Sequence, residues 1–180
     1  AYQGRYSEAY DCFYKSCWNA AWQDAGYFAC ARISLLQGRL EDALDEIDRA
    51  LIRNWHHHKA RALKVTILRR MGHCDEALKL IDDSLAIDLF NFGCRYEAYL
   101  ISKVTDDLAI FKEMMRAEAH NYDEIALDYV AAGCWEEAVS LWNVAIAEGA
   151  VTPMTYYYLG WCLMQGALPG AKEAFESAAA

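Results

Sequence analysis

The sequence predicts an all-α protein, an α-solenoid built from antiparallel helix pairs. A glycine followed five residues later by an alanine recurs along the chain, and the first three of these alanines, Ala9, Ala43 and Ala77, are 34 residues apart. A fixed period of this length is typical of repeat arrays. Apolar residues follow the i, i+3, i+4 spacing of helices. The 180 residues include only two prolines, which argues against a turn-dense β protein.

The recurring motif places the helices in order. Its glycine ends the first helix of a pair, because helices commonly close on a residue in the left-handed conformation. The acids after it begin the second helix, where negative charge favours the helix dipole. After a helical stub ending at Gly4, the predicted helices are residues 7–18, 24–37, 40–53, 58–71, 74–87, 94–103, 106–119, 122–132, 135–147, 154–165 and 169–179.

These helices group into a single array of six repeats, about residues 1–20, 21–54, 55–88, 89–119, 120–150 and 151–180. The distance from Ala77 to Ala138 is about seven residues short of two periods, so the repeat over 89–119 is expected to keep its helix-turn-helix outline with shortened helices or turns. Ala1 falls near the end of a helix in this frame, and we therefore expect the chain to be a fragment of a longer protein.

Each second helix carries a stripe of alternating small and large residues. The motif alanine is small, so a bulky residue of the neighbouring helix can approach it closely. A large residue follows four positions later and a small one three positions after that, which is the spacing of a core stripe. The large members are Phe13, Ile47, Ile81, Trp142 and Phe175, and the small members are Ser16, Ala50, Ser84, Ala145 and Ala178.

This second-helix pattern resembles the tetratricopeptide repeat (TPR). The first-helix half of the family pattern is weaker here, with one good Leu-Gly pair at Leu159-Gly160. The resemblance implies a right-handed superhelix whose first helices line a concave peptide groove. Ala62 and Thr66 stand where the co-chaperone members have a carboxylate clamp, which argues against binding of chaperone tails. Mapped onto this sequence, the implied groove positions include Leu35, Ala62, Asp123, Leu127 and Val130. The candidate binding residues among the groove positions are Phe28, Arg32, Lys59, Thr66, Arg69, Arg95, Tyr96 and Tyr99.

The arginines and lysine of this set could receive the carboxylates of an extended peptide through charge-assisted hydrogen bonds. The alternative is that they are solvated surface charges. A narrower resemblance, carried by residues 18–25 and 58–64, is to the TPR region that follows a domain of unknown function in large bacterial proteins. It implies that the chain is the helical appendage of a carbohydrate-related protein.

Composition excludes several function classes. The net charge of −9 argues against a nucleic-acid partner, because phosphates call for a basic face. No apolar run approaches 18 residues, so no membrane span is expected. The seven cysteines form no C-x-x-C pair and fall on mostly apolar helical positions, which favours reduced thiols and a cytoplasmic protein.

The sequence offers little for catalysis. His56, His57 and His58 are consecutive, and three consecutive side chains cannot converge on one metal from a helix or a strand. Paired acids such as Glu136-Glu137 recur at one repeat position, which favours helix starts over acid–base chemistry. We therefore predict no enzyme activity, metal or cofactor.

The function predicted from the sequence is a non-catalytic protein–protein interaction scaffold. Its partner would be a protein or peptide, or another domain of the same chain, docked on the concave face. The alternative is a structural helical appendage of a carbohydrate-active or sugar-binding multidomain bacterial protein. The sequence leaves the oligomeric state open.

Overall fold

The computed structural model describes residues 3–180, and these form eleven α-helices and one 3-10 turn at Ala20–Trp22, with no β-strand. The first two residues of the predicted stub lie outside the described residues. The helices are α1 (Tyr6–Ser16), α2 (Gln23–Leu36), α3 (Leu40–Arg53), α4 (His58–Arg70), α5 (Cys74–Ile87), α6 (Phe92–Ser102), α7 (Thr105–Met115), α8 (Ala119–Ala131), α9 (Trp135–Ala147), α10 (Pro153–Gln165) and α11 (Ala171–Ala179).

Three of the motif glycines end their helices as predicted. Gly38 is left-handed with φ +74°, and the next residue, Arg39, donates its backbone N–H to the carbonyl of Ser34 at 2.9 Å. Together with the bond from the Gly38 N–H to the Leu35 carbonyl, this is the Schellman ending that satisfies the last carbonyls of a helix. Gly72 and Gly133 close α4 and α8 in the same way.

Neighbouring helices pack in pairs, α2 with α3, α4 with α5, α8 with α9 and α10 with α11. The predicted stripe lies in the interface of these pairs, whereas Phe13 of α1, a member of the same predicted stripe, is 36% exposed. Ala43, Ala77 and Ala138 are fully buried. The bulky members Ile47 and Trp142 are also fully buried, and burial of each large apolar side chain is worth about 1.5–3 kcal/mol.

The chain divides into two compact units, one reaching Leu108 and one from Ala109 to Ala180. Unit 1 contains α1 to α6 and the beginning of α7. One cluster of its core is formed by Val65, Leu68, Ala77, Leu80, Ile81 and Cys94. Unit 2 contains the rest of α7 and α8 to α11. Its fully buried large side chains are Phe111, Met115, Tyr122, Leu141 and Trp142.

The repeat over 89–119 keeps two helices, and both are shortened to 11 residues, as expected. Its second helix does not reach residue 119, which corrects the sequence prediction. Arg116 and Ala117 both adopt positive φ, 54° and 50°, so the helix ends at Met115. The following helix consequently begins at Ala119, three residues earlier than predicted.

The turn between α10 and α11 also corrects the prediction. Gly166 has φ −78° and is not the left-handed residue. Ala167 takes that role with φ +53°, and Leu168 donates its backbone N–H to the Leu163 carbonyl at 2.8 Å. A Cβ on Gly166 would lie 2.8 Å from the Cβ of Trp135, so Gly166 is needed for close packing against α9 rather than for its conformation.

Candidate functional site

The eight predicted groove residues lie on the first helices of unit 1. Phe28 and Arg32 are on α2, Lys59, Thr66 and Arg69 on α4, and Arg95, Tyr96 and Tyr99 on α6. Helix α4 packs against both α2 and α6, so the three helices are neighbours. We refer to the surface residues of these three helices as the first-helix surface.

Phe28, Arg32 and His57 form one group on this surface. The guanidinium carbon of Arg32 lies 4.8 Å from the centroid of the Phe28 ring, a cation–π distance. On α2 the two residues are one helical turn apart, which places their side chains together. The His57 ring lies 4.7 Å from the Phe28 ring, and its Nδ1 accepts the backbone N–H of Ala60 at the start of α4. Phe28 and Arg32 are both half-buried and keep exposed surface.

Thr66 and Arg69 are held by an acid that sequence reasoning missed. Glu97 on α6 is fully buried, and Arg69 Nε donates to its Oε2 at 2.6 Å. Thr66 Oγ1 donates to Glu97 Oε1 at 2.7 Å. Thr66 itself is buried. This network joins α4 to α6, so Arg69 is bound to a carboxylate of its own chain.

The other four predicted residues differ in how exposed they are and in what they contact. Tyr96 is fully buried, which corrects its assignment to an open groove: its side chain is a packing residue. Tyr99 is half-buried, lies 5.9 Å from the Tyr96 ring and carries the Lys103 ammonium 5.6 Å above its own ring. Arg95 Nε donates to the Leu89 carbonyl at 2.7 Å. Lys59 is half-buried and interacts with another group of the same chain.

A second buried acid stands in unit 2. Asp123 on α8 accepts the Trp142 Nε1–H at 2.9 Å and the Thr155 hydroxyl at 3.1 Å. It therefore joins α8 to both α9 and α10. As with Glu97, both carboxylate oxygens have donors, so the acid serves packing between repeats.

Other site chemistries find little support among the described residues. All seven thiols are free. Burial raises the pKa of Cys94 and of Cys162 to about 12, so these thiols stay protonated and unreactive near neutral pH. Within residues 3–180, no group of three or more His, Cys, Asp or Glu side chains is placed to hold a metal ion. Every helix in the same range is too short or too polar to span a bilayer.

Solved structures provide the relevant comparison, since no protein-family model and no curated protein matches the sequence. YrrB, described as a TPR protein with an unusual peptide-binding site, is similar over 94% of this chain and 92% of its own, with a TM-score of 0.52 and 16% identity. The chain has a TPR-like fold. Human IFIT1, solved as a dimer with PPP-AAAA, is similar over 97% of this TPR-like chain, with a TM-score of 0.54 and 18% identity. The chain covers 46% of the IFIT1 chain.

Proposed function

We propose that this TPR-like chain is a non-catalytic protein-interaction scaffold that docks an extended peptide or a neighbouring domain on the first-helix surface, the face that the repeat resemblance implies to be concave. The observation that carries the proposal is the partly exposed pair of Phe28 and Arg32 on α2. A half-buried aromatic ring with an arginine stacked on it offers apolar contact and a charged donor at one point, which is the composition of interface hot spots.

The contacts of the other arginines in the predicted set indicate which cation would bind a peptide. Arg69 is bound to Glu97 and Arg95 to the Leu89 carbonyl. Arg32 is held by an aromatic ring, and its N–H donors are suited to a peptide carboxylate. The peptide would therefore contact Phe28 and Arg32 and continue toward α4 past Lys59. YrrB is described as having a peptide-binding site on the same fold, which is compatible with this assignment.

The free thiols add a proposal about compartment. Cysteines that are buried and unpaired suit a reducing environment, and we place the protein in the cytoplasm.

The test is selection of peptides from a random displayed library, followed by fluorescence anisotropy on the selected peptides. We expect acidic sequences, and we expect Arg32→Ala and Phe28→Ala each to weaken binding about tenfold or more. Arg53→Ala, at an exposed arginine on a second helix, is the matched control and should bind as the unchanged protein does.

Two results would reject this docking site. One is a selection that yields no saturable binder. The other is a set of binders that tolerate both Arg32→Ala and Phe28→Ala. In either case the alternative, an appendage that packs against a carbohydrate-related domain of the same chain, would become the better hypothesis.

A further inference from the structure

A cleft separate from the proposed docking site opens among α1, α2 and α3. Its volume is about 230 Å³. Tyr10 and Tyr14 of α1 and Tyr27 of α2 line it, together with four charged residues of α3, Asp42, Asp45, Glu46 and Arg49. At about 30 Å³ for each water molecule, the cleft has room for a small organic group.

Glu46 is the unusual member of this lining. Its side chain is buried, with 5% of the residue exposed. The Tyr10 hydroxyl donates to Oε1, while Oε2 is buried and has no hydrogen-bond partner. Burial and then the bond to Glu46 raise the pKa of Tyr10, so its hydroxyl stays protonated and acts as the donor. A buried carboxylate oxygen without a hydrogen-bond donor lowers the stability of the folded protein. A bound ligand could supply the donor that the chain lacks.

The repeat pattern indicates that the fold does not require an acid here. Glu46 stands three residues after the motif alanine of its repeat. The same position is Leu80 in the next repeat and Leu141 in a later one, and both leucines are buried. A polar residue at an otherwise apolar repeat position is typical of functional sites.

The charges around the cleft leave Glu46 without a cation. Arg39 binds Asp42 at 2.6 Å, and Arg49 binds Asp45 at 2.8 Å. Among the described residues that border the cleft, Glu46 is therefore the carboxylate that lacks a basic partner. A bound cation would balance this charge.

The tyrosine rings suit the carbon stem of a cationic side chain. Tyr10 and Tyr14 are stacked nearly parallel, with centroids 6.1 Å apart. Arg39 lies 5.3 Å from the Tyr10 centroid, and Arg49 lies 5.7 Å from that of Tyr27. Two of the rings therefore already carry a guanidinium of the chain itself, and the stacked rings of Tyr10 and Tyr14 offer apolar surface that would cover the carbon stem of a bound side chain.

We propose that this cleft binds a primary ammonium group, supplied by a lysine side chain of a partner protein, which donates to Glu46 while its carbon stem lies against the tyrosine rings. A quaternary ammonium has no N–H to offer to Oε2. A guanidinium presents its N–H donors in a rigid planar fork that spans both oxygens of a carboxylate, whereas an ammonium is a compact donor that needs only one oxygen. The compact ammonium is therefore the cation that suits the one unpartnered oxygen, which is itself buried and which an ammonium reaches only when the surrounding side chains shift. This site does not depend on peptide docking at Phe28 and Arg32.

The experiment is an NMR titration of the protein, labelled in its tyrosine rings, with Nα-acetyl-lysine methylamide. We expect saturable shifts of the Tyr10, Tyr14 and Tyr27 rings, with a dissociation constant on the order of millimolar. Nα-acetyl-norleucine methylamide has nearly the same stem without the charge, and tetramethylammonium has the charge without N–H donors. Both should bind at least about tenfold more weakly.

Glu46→Gln keeps the shape and removes the charge, and it should weaken the lysine probe about tenfold or more. Glu76→Gln, at an exposed acid on α5, is the matched control. Glu46→Leu restores the apolar residue of the other repeats and should also abolish binding, while its melting temperature stays equal or rises.

The proposal is overturned by equal binding of norleucine and lysine probes, by unchanged binding in Glu46→Gln, or by the absence of saturable shifts. A large loss of stability in Glu46→Leu would also overturn it, because the carboxylate would then be structural. None of these results bears on the displayed-peptide experiment, which depends on Phe28 and Arg32.

Discussion

Ala167 holds the backbone conformation that glycine holds in the turns at Gly38, Gly72 and Gly133. A side chain with a Cβ is disfavoured at positive φ, so the turn between α10 and α11 carries strain that a glycine would relieve. We predict that Ala167→Gly raises the free energy of unfolding by about 0.5 kcal/mol, since relief of strain outweighs the added freedom of the unfolded chain. Urea denaturation measures the change.

The neighbouring glycine provides the control. Gly166→Ala would place a methyl group 2.8 Å from the Trp135 Cβ, and we expect it to destabilise the protein. A neutral Gly166→Ala together with a destabilising Ala167→Gly would contradict this description of the turn. The motif spacing alone assigned the left-handed role to Gly166, because a sequence pattern cannot distinguish a glycine needed for its φ from one needed for close packing.

The connection between helices α4 and α6 depends on Glu97. Its carboxylate accepts from Thr66 and Arg69, and the residue is fully buried. Glu97→Ala would leave the Arg69 guanidinium, with 19% of its side chain exposed, without this partner. We predict a loss of about 3 kcal/mol in the free energy of unfolding, because removing one member of a buried pair leaves the other charge uncompensated.

Chemical denaturation of Glu97→Ala, Arg69→Ala and the double variant would give the coupling between the two residues. Glu113→Ala is the surface control, since this exposed acid on α7 should change stability by no more than about 0.5 kcal/mol. If Glu97→Ala behaved like Glu113→Ala, the network would not be what joins the two helices.

The number and order of the helices could be predicted from the sequence more accurately than the residues at which they end. The glycine motif and the apolar stripe located all eleven helices, because helix period and chain reversal are both local properties. The end of α7 could not be predicted, since Arg116 and Ala117 adopt positive φ without any glycine to mark it. Residues with a Cβ disfavour this conformation, so the sequence gives no local signal for it.

At the candidate site, contacts between residues that are distant in sequence could not be predicted either. The repeat frame assigned residues to the first helices correctly, but it treated Arg69 and Tyr96 as open surface. The partner of Arg69 comes from another part of the chain, since Arg69 bonds with Glu97, which is 28 residues away in sequence. The repeat pattern describes one position at a time, so it does not show which residues of different repeats contact each other. The acid at position 46 has a usable signal, because two of the aligned repeats place a leucine there.

The whole molecule should lose stability in alkali. Burial raises the pKa values of Cys30, Cys94, Cys162 and Tyr122 to about 12. In the unfolded chain, thiols ionise near pH 8.5 and tyrosines near pH 10. As pH rises, the unfolded state therefore loses these protons first, and unfolding becomes more favourable. We predict stability that is independent of these groups below about pH 8 and falls from about pH 9 toward pH 12.

Urea denaturation at a series of pH values, with reductant present, measures this dependence. Cys94→Ala removes one fully buried thiol, so its free energy of unfolding should fall less steeply above pH 9 than that of the unchanged protein. Cys12→Ala, at an exposed thiol, should keep the steeper slope. Parallel pH profiles for the unchanged protein and Cys94→Ala would mean that Cys94 ionises alike in both states and is not held neutral by burial. A flatter profile for Cys94→Ala alone would assign part of the alkaline loss to the core between α5 and α6.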